Sequence, residues 1–439
     1  RPNKEANRTH SQSYVEDLQA LCGQKRCVKM ARLNLSVLPS ADIQRRSRLR
    51  SAPLSYMAGK CALYVEIPNP SYILGENRLH SEYLDIEKKI EHGERLTRED
   101  GLRLFACRDI AWIGALADRV RQEKCGDIVY YNVNCHVNLT NICLAHCKFC
   151  AFGRDAGDKG AYEMSVEEAV AHVADAMRDP HLAGLHVVSG LHPDWTFEDY
   201  LARLRALHEA FPTLYLKGFT GVEITHFAKS SGRTVRDVLV RLCAAGLQSI
   251  AGGGAEILTD RVRGELCPNK ATADEWLATH RTAHTLGIKT NASMLYGHIE
   301  THEERVEHMM RLRDLQDETG GFQTFIPFPF LPSHTELGRT VRQTTMWDDL
   351  RTIAISRLML DNFKNIKAYW VMLTVPVAQV ALCFGANDID GTVHKETILH
   401  DAGAKSPRAL SEDHIIRVIR EIGRTPAACD SNFNIIETY

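Results

Sequence analysis

Three cysteines within eight residues carry the strongest chemical signal in the 439-residue sequence. Cys143, Cys147 and Cys150 form a CxxxCxxC pattern, and a short loop can turn three such thiolates toward one point. Soft thiolate ligands suit an iron–sulfur cluster, and a cubane held by three cysteines leaves its fourth iron open to another ligand. The alternative is a zinc site completed by His136 or His146, but structural zinc favours four ligands with paired CxxC spacing. The spacing therefore favours the cluster.

The cysteine motif follows an apolar run that is typical of a β-strand. Beyond it, short apolar runs alternate with amphipathic helices, the pattern of successive βα units in a parallel sheet. The eight predicted strands are 128–137, 185–189, 214–219, 247–251, 288–294, 322–328, 368–373 and 380–384. We therefore predict an α/β fold, a TIM-type (β/α)8 barrel over residues 128–400, with its chemistry on the loops after the strands. A six-stranded partial barrel with the last two units packed elsewhere is the alternative.

The segments on either side of the barrel are predicted separately. Two helices precede it within residues 81–127: Thr97 with Asp100 caps the first, and Asp109 begins the second. Residues 401–439 are predicted to be a helical C-terminal segment. Residues 1–80 are predicted to be a poorly structured basic N-terminal extension, because their first 50 residues hold eleven Lys or Arg against four Asp or Glu. This extension can be a targeting segment, a flexible tail or an over-long reading frame.

The amino-acid composition and the net charge exclude some classes of function. The sequence is 44% hydrophobic and 25% charged, as in ordinary globular proteins. A formal net charge of -2, from 53 basic and 55 acidic residues, supplies no global field that would recruit nucleic acid or an anionic membrane. The sequence has no apolar run of about 18 residues and no visible secretory leader. We therefore expect a cytoplasmic protein with small-molecule partners, and neither nucleic acid nor a membrane among them.

The segment Cys143-Leu-Ala-His-Cys147-Lys-Phe149-Cys150 resembles the CxxxCxΦC signature of the radical S-adenosylmethionine (radical SAM) enzymes. That resemblance implies a full or partial (β/α) barrel and a [4Fe-4S] cluster on the three cysteines. It also implies that S-adenosyl-L-methionine binds the open iron through its amino and carboxylate groups and is consumed as a cosubstrate. A low-potential electron donor such as flavodoxin or ferredoxin is implied as a partner.

The predicted strand ends resemble a narrower group, the aminofutalosine synthase family of the futalosine route to menaquinone. The matching blocks read Val188-Ser-Gly-Leu-His192-Pro193, Lys217-Gly-Phe-Thr-Gly-Val-Glu223, Gly252-Gly-Gly-Ala-Glu256-Ile257 and Asn291-Ala-Ser-Met-Leu-Tyr296-Gly-His298-Ile-Glu300. The resemblance implies addition of a 5′-deoxyadenosyl radical to 3-[(1-carboxyvinyl)oxy]benzoate, with rearrangement and decarboxylation to 6-amino-6-deoxyfutalosine. The alternatives are a hydrogen-abstracting relative, which is a cyclic dehypoxanthine futalosine synthase or a deazaflavin-forming synthase, and a non-catalytic iron–sulfur or zinc protein.

The radical SAM resemblance also implies a set of residues around the cosubstrate. Phe149 is expected beside the adenine, and the backbone of Ser189 and Gly190 is expected to receive the methionyl amino group. Glu256 is expected to accept hydrogen bonds from the ribose hydroxyls, and Arg263 to pair with the methionyl carboxylate. Each has a purely structural alternative, such as a loop anchor for Phe149, a helix N-terminal charge for Glu256 or a surface ion pair for Arg263.

The implied acceptor substrate carries two carboxylates, so its pocket needs cations or convergent hydrogen-bond donors. The strand-end candidates for these contacts are His192, Lys217, Asn291 and His298. Tyr296 shares a strand-end block with His298 and joins them as a candidate. A structural histidine, or a residue that caps the following helix, is the alternative for these positions.

Overall fold

The computed structural model describes residues 81–439 together with two short strands, β1 (Met57–Ala58) and β2 (Cys61–Ala62). The chain divides into two compact units, Arg1–Arg78 and Leu79–Tyr439. In the first unit β1 and β2 pair antiparallel, with Met57 opposite Ala62. The rest of the predicted extension, residues 1–80, lies outside the described residues.

Within residues 81–127, three helices precede the barrel, namely α1 (Leu84–Glu91), α2 (Arg98–Ala106) and α3 (Ile110–Cys125). The side chains of Thr97 and Asp100 form the predicted capping box of α2, and Asp109 accepts a hydrogen bond from the first turn of α3. The predicted number of two helices is wrong because α1 is mostly charged. Only Ile86 on α1 is fully buried, which is too weak an apolar pattern to predict a helix.

Parallel strands follow one another in chain order around the second unit. They are β4 (Asn134–Asn138), β5 (Gly184–Val188), β6 (Tyr215–Thr220), β7 (Ser249–Ala251), β8 (Lys289–Tyr296), β9 (Phe322–Pro329) and β10 (Asn365–Ile366). An eighth strand, β11 (Asp388–Gly391), closes the ring through single parallel bridges. Lys367 bridges to Asp388, and His394 bridges back to Cys135 on β4. The predicted parallel α/β barrel is therefore confirmed.

Helices connect the barrel strands. They are α4 (Val166–Ala176), α5 (Phe197–Ala210), α6 (Gly221–Ser231), α7 (Val235–Ala244), α8 (Asp260–Leu266), α9 (Ala273–Thr285), α10 (His302–Thr319) and α11 (Met346–Met359), with a 3-10 turn at Leu337–Arg339. Ser165 with Glu168 and Thr272 with Glu275 form capping boxes at the starts of α4 and α9. Among the described helices, none is both long and apolar enough to cross a membrane.

The last two predicted strands, 368–373 and 380–384, are wrong. The chain there forms two short helices, α12 (Trp370–Leu373) and α13 (Val375–Ala381). All four residues of α12 are buried, and a short continuous apolar run does not distinguish a buried strand from a buried helix. Pro376 lies in the first turn of α13, where its fixed φ and missing N–H favour a helix. The seventh and eighth strands are instead β10 and β11.

The predicted first strand, 128–137, is two strands that belong to different sheets. β3 (Ile128–Asn132) pairs with β11 and with β12 (Thr425–Cys429), whereas β4 pairs with β5. The second sheet has the order β11-β3-β12-β13, and β13 is Ile435–Thr438. Helix α14 (Ile398–Asp401) lies at the end of the predicted barrel range. The C-terminal segment, residues 401–439, is predicted to be helical, but after its helix α15 (Glu412–Glu421) it contains the two strands β12 and β13.

The apolar core has two main parts. One lies between β4 to β6 and helices α4 to α7 and includes Tyr200, Leu216 and Phe227. The other packs α2, α3 and α11 against the second half of the barrel and includes Trp276 and Trp370. The large aromatic side chains named in both parts are fully buried, so they contribute to the apolar stabilisation of the second unit.

The pairing of β11 with β3 in the second sheet gives a stability prediction. A Cβ atom added at Gly391 would lie 1.8 Å from the carbonyl oxygen of Asn132, where β11 meets β3. Gly391→Ala should therefore lower the free energy of unfolding by about 2–3 kcal/mol, measured as a fall in the thermal midpoint. Gly264→Ala on α8 is the control, because a Cβ there meets no atom within 4 Å. Equal midpoints for the two variants would show that β11 does not approach β3 as described.

Candidate active site

Cys143, Cys147 and Cys150 lie on the loop that follows β4, and all three line one cavity of about 350 Å³. The backbone N–H of Leu191 donates to Cys143 Sγ (3.4 Å), and that of Gly153 donates to Cys150 Sγ (3.3 Å). Backbone hydrogen bonds to sulfur are characteristic of iron–sulfur sites. Three thiols on one cavity wall, two of them supported in this way, fit a cluster with an open coordination position.

The cysteine loop is fastened to the end of β5 by its backbone. Gly190 N donates to the Thr140 carbonyl (2.8 Å), and Leu144 N donates to the Leu191 carbonyl (2.9 Å). A Cβ at Gly190 would lie 2.3 Å from the Ile142 carbonyl oxygen, so only glycine permits this approach. The two strand ends therefore hold the thiols against the β5 loop.

A buried ion pair lies beside the thiols. Lys270 Nζ lies 2.7 Å from Glu256 and 5.0 Å from the centre of the Phe149 ring, and all three residues line the cavity. Burial disfavours the charged lysine, but the charges of Cys147 and Glu256 outweigh it and raise the pKa of Lys270 well above its usual value. Lys270 lies in the turn between α8 and α9, where no sequence motif marked it.

Glu223, in the first turn of α6, contacts the loop that follows β5. Its carboxylate accepts hydrogen bonds from Ser189 N (2.8 Å) and Thr220 N (2.7 Å), and it lines the cavity. Burial raises the pKa of Glu223 to about 7, against the opposing effect of these hydrogen bonds. The Thr-x-x-Glu spacing from Thr220 to Glu223 is a capping box, so a sequence signal for this residue exists.

The structure brings four of the five predicted cosubstrate residues to the cavity. Phe149, Ser189, Gly190 and Glu256 line it. Arg263 is not among the residues that line the cavity. Its guanidinium instead donates hydrogen bonds to backbone carbonyls, among them those of Ala255 (2.6 Å) and Gly254 (3.1 Å). Arg263 therefore secures the loop after β7. Its predicted role as the partner of a ligand carboxylate has no support in this placement and stays a prediction.

Of the five predicted substrate residues, only Asn291 lines the cavity. Its Oδ1 atom is buried and has no hydrogen-bond partner in the described part of the chain. His192 does not face the cavity: its Nε2 lies 3.1 Å from Glu163, and its ring stacks on Trp195 with centroids 5.0 Å apart. His192 therefore contacts Glu163 and Trp195 in this structure, and its role as a substrate contact stays a prediction.

Lys217 lies behind the cavity lining, in register with His186 on β5. Burial, together with the nearby charge of Lys367, lowers the pKa of Lys217 to about 8. Lys217 is half-buried and is not among the residues that line the cavity, so its role as a substrate contact stays a prediction.

Tyr296 and His298 hold the loop after β8. The Tyr296 hydroxyl donates to Asp349 (2.9 Å), while His298 Nδ1 lies 2.9 Å from Glu300 and Nε2 lies 2.9 Å from the Leu295 carbonyl oxygen. Both rings are buried away from the cavity lining. Both side chains therefore hydrogen-bond within the protein in this structure, and their roles as substrate contacts stay predictions.

One part of the cavity lining is polar, and the sequence analysis did not predict that these side chains would line a cavity. The side chains are those of His136, His186, Lys367 and Asp390. His136 thus belongs to the barrel interior. His146, the other histidine considered for zinc, faces Asp155 at 3.6 Å.

The parallel barrel with a CxxxCxxC loop after its first strand defines a class of iron–sulfur enzyme. Residues 137–312 match the Radical SAM superfamily, and residues 319–438 match the CofH/MqnC C-terminal region. The chain belongs to the radical SAM superfamily and is an enzyme. Its cofactors are a [4Fe-4S] cluster and S-adenosyl-L-methionine, and the alternative of a non-catalytic protein does not hold.

Relatives of two kinds match most of the chain. Aminodeoxyfutalosine synthase from Streptomyces coelicolor is 43% identical over 81% of this chain and 94% of its own length. The Thermus thermophilus protein of the same name is 45% identical over 81% and 96%. The 5-amino-6-(D-ribitylamino)uracil–L-tyrosine 4-hydroxyphenyl transferase of Methanothermobacter thermautotrophicus is 41% identical over 78% and 95%.

Solved structures agree on the fold. Methylornithine synthase (PylB) matches 78% of this chain and 97% of its own, with a TM-score of 0.63 and 17% identity. The FeFe-hydrogenase maturase HydG from Carboxydothermus hydrogenoformans matches 80% of each chain, with a TM-score of 0.65 and 17% identity. At 17% sequence identity, the similarity to these two structures shows only a shared barrel fold.

The cysteine assignment is tested by single substitutions. Cys143→Ala, Cys147→Ala and Cys150→Ala should each abolish cluster binding, because a cubane with two protein ligands is poorly held. Iron and sulfide content, visible absorbance and paramagnetic resonance measure this loss, and circular dichroism checks that the fold remains. Cys135→Ser on β4 is the control and should keep a full cluster. A full cluster in any of the three alanine variants would reject the assignment.

Glu223 gives a pH-dependent prediction. Its folded pKa, about 7, lies above the ordinary value of 4.5, so the folded state holds this proton more tightly than the unfolded state. The stabilising contribution is present below the ordinary pKa and is lost as the pH rises through 7. The thermal midpoint of the cluster-free wild type relative to Glu223→Gln should therefore fall from about pH 5 to about pH 8. A difference that does not change with pH would contradict this.

Proposed function

We propose that the enzyme is an aminofutalosine synthase acting on 3-[(1-carboxyvinyl)oxy]benzoate. The supporting observation is the 43–45% identity to the two aminodeoxyfutalosine synthases over 81% of the chain. When bound, the reduced cluster supplies an electron to S-adenosyl-L-methionine and so yields methionine and a 5′-deoxyadenosyl radical. In the proposed reaction this radical adds to the enol-ether double bond, and rearrangement with decarboxylation gives 6-amino-6-deoxyfutalosine.

In the proposed reaction, the chain's own residues bind and orient the cosubstrate and the substrate, and they exclude water. Ser189 and Gly190 present backbone groups beside the thiols, and Glu256 and Phe149 complete the proposed cosubstrate side of the cavity. Asn291 lies on the substrate side, with its amide oxygen unpaired. The wall between them is apolar and includes Leu191, Ile326, Phe328, Phe330 and Met372. Such a wall keeps water away from a reactive alkyl radical.

A hydrogen-abstracting relative is the second candidate. The 41% identity to the hydroxyphenyl transferase of Methanothermobacter thermautotrophicus and the match to the CofH/MqnC C-terminal region favour it. Such an enzyme would release 5′-deoxyadenosine, whereas radical addition retains the nucleoside in the product. Both candidates need a low-potential electron donor, and we propose a flavodoxin or a ferredoxin for that role.

Product analysis separates the two candidates. With reductant, S-adenosyl-L-methionine and the enolpyruvyl benzoate, mass spectrometry should find adenosine carbon in a product that has lost one carboxyl group. In the wild type, 5′-deoxyadenosine should be a minor by-product. Asn291→Ala should raise the by-product fraction, because a poorly held alkene gives the radical time to find a hydrogen donor.

Lys89→Met is the matched control for that experiment. Lys89 pairs with Asp100 at 2.8 Å on the helices that precede the barrel, outside the cavity. This variant should keep the wild-type product ratio. Stoichiometric 5′-deoxyadenosine without a nucleoside adduct in the wild type would exclude radical addition and favour the second candidate.

A further inference from the structure

The loop after β7 presents a carboxylate to the cavity from a strained backbone position. Glu256 follows three glycines, has a φ of +47°, and lines the cavity although the residue as a whole is buried. A positive φ is unfavourable for a residue with a side chain and persists only where the surrounding structure holds it. The placement of this carboxylate is therefore imposed by its neighbours.

Two sets of hydrogen bonds hold the backbone around Glu256. Leu295 N on β8 donates to the Glu256 carbonyl (3.0 Å). The Arg263 guanidinium donates to the Ala255 carbonyl (2.6 Å) in the loop after β7 and, through Nε, to the Ala271 carbonyl (3.1 Å). Because Ala271 lies between α8 and α9, Arg263 joins the turn between these helices to the loop that carries Glu256.

Lys270, in the same turn, holds the side chain of Glu256. Its Nζ donates to Glu256 Oε1 (2.7 Å) and lies 5.0 Å from the centre of the Phe149 ring, which is the distance of a cation–π contact. The side chains of Lys270 and Glu256 are only 14% and 10% exposed. A buried ion pair is strongly coupled, because loss of one partner leaves an uncompensated charge on the other. The direction of the carboxylate therefore depends on the lysine.

The turn that carries Lys270 is also attached to the cysteine loop. Lys148 N donates to the Leu266 carbonyl (3.0 Å), at the end of α8 where this turn begins. Cys147 and Phe149, the two neighbours of Lys148 in the chain, line the same cavity as Lys270. The position of Lys270 is thereby set relative to the thiols, and Lys270 in turn sets the position of the Glu256 carboxylate.

The Glu256 carboxylate keeps one oxygen available for a ligand. Lys270 is bonded to Oε1, and Oε2 accepts no hydrogen bond from the described residues. A carboxylate only accepts hydrogen bonds, and the vicinal hydroxyls of a ribose offer two donors to one such group. We propose that Lys270 is a positioning residue for the cosubstrate and holds the Glu256 carboxylate toward the ribose hydroxyls of S-adenosyl-L-methionine. The inference applies to both candidate reactions, because both consume the same cosubstrate.

Two unreactive probes test this role without turnover. S-adenosyl-L-homocysteine and its 2′,3′-dideoxy analogue differ only in the two ribose hydroxyls, and calorimetry measures how each binds to the cluster-loaded enzyme. The wild type should bind the hydroxylated probe at least about tenfold more tightly, because the analogue cannot donate to the carboxylate. Lys270→Met should reduce this preference to less than about threefold. Lys270→Arg keeps a cation beside Glu256 and should retain a preference of about tenfold.

A double-mutant cycle separates positioning from direct contact. If Lys270 acts through Glu256, adding Lys270→Met to Glu256→Gln should weaken binding of S-adenosyl-L-homocysteine by less than about threefold. The double variant leaves no unpaired buried charge, so it supplies the result if Lys270→Met alone does not fold. Iron content and circular dichroism check the cluster and the fold, and Lys89→Met should keep the wild-type preference.

Three results would overturn the proposal. The first is equal affinity of the two probes for the wild type, and the second is an unchanged preference in folded Lys270→Met. The third is a further loss of about tenfold or more in the double variant relative to Glu256→Gln, because Lys270 would then contact the cosubstrate itself. None of these measurements involves the acceptor substrate, so their outcome is separate from that of the product analysis.

Discussion

The site depends on one close backbone contact, the approach of Gly190 at the end of β5 to the carbonyl of Ile142 in the cysteine loop. Hydrogen bonds on both sides of this contact align the loop with β5, and the Leu191 N–H then points at Cys143 Sγ. Glu223 supports the same strand end from behind through Ser189 N. Any side chain at position 190 would separate these segments, and the thiols would no longer share a wall with the residues after β5.

Most barrel elements are predictable from the sequence because their signals are local. The capping boxes at Ser165 and Thr272 specify helix starts through residues three positions apart, and the structure contains both. The end of the barrel is different. β10 has only two residues, and its neighbour α12 is a fully buried apolar run without a readable period. The pairing of β11 with β3 joins residues about 260 positions apart, and such a contact leaves no local pattern.

The active site likewise has features that local sequence signals predict and features that they do not. The cysteine motif and the glycine-rich strand ends place the rim of the barrel correctly, since the carboxyl ends of parallel strands meet at one face. Which strand-end side chain faces inward depends on the pleat and on local partners. Asn291 and Tyr296 are on the same strand, but the Tyr296 hydroxyl is committed to Asp349. Lys270 and Lys367 belong to no motif, and only the folded barrel brings them to the cavity.

The barrel ring has the fewest paired residues on the two sides of β11. Lys367 with Asp388 is the single bridge toward β10, and His394 with Cys135 is the single bridge toward β4, whereas β8 and β9 are paired along most of their length. Fewer backbone hydrogen bonds mean a smaller free energy of local opening, so we expect the wall to open most easily at these two junctions. The ion pairs of Lys367 with Asp388 and Asp390 span the junction toward β10. These ion pairs therefore join β11 to the end of β10 where backbone pairing is sparse, and the closure of the wall at this junction depends on charges that face the cavity.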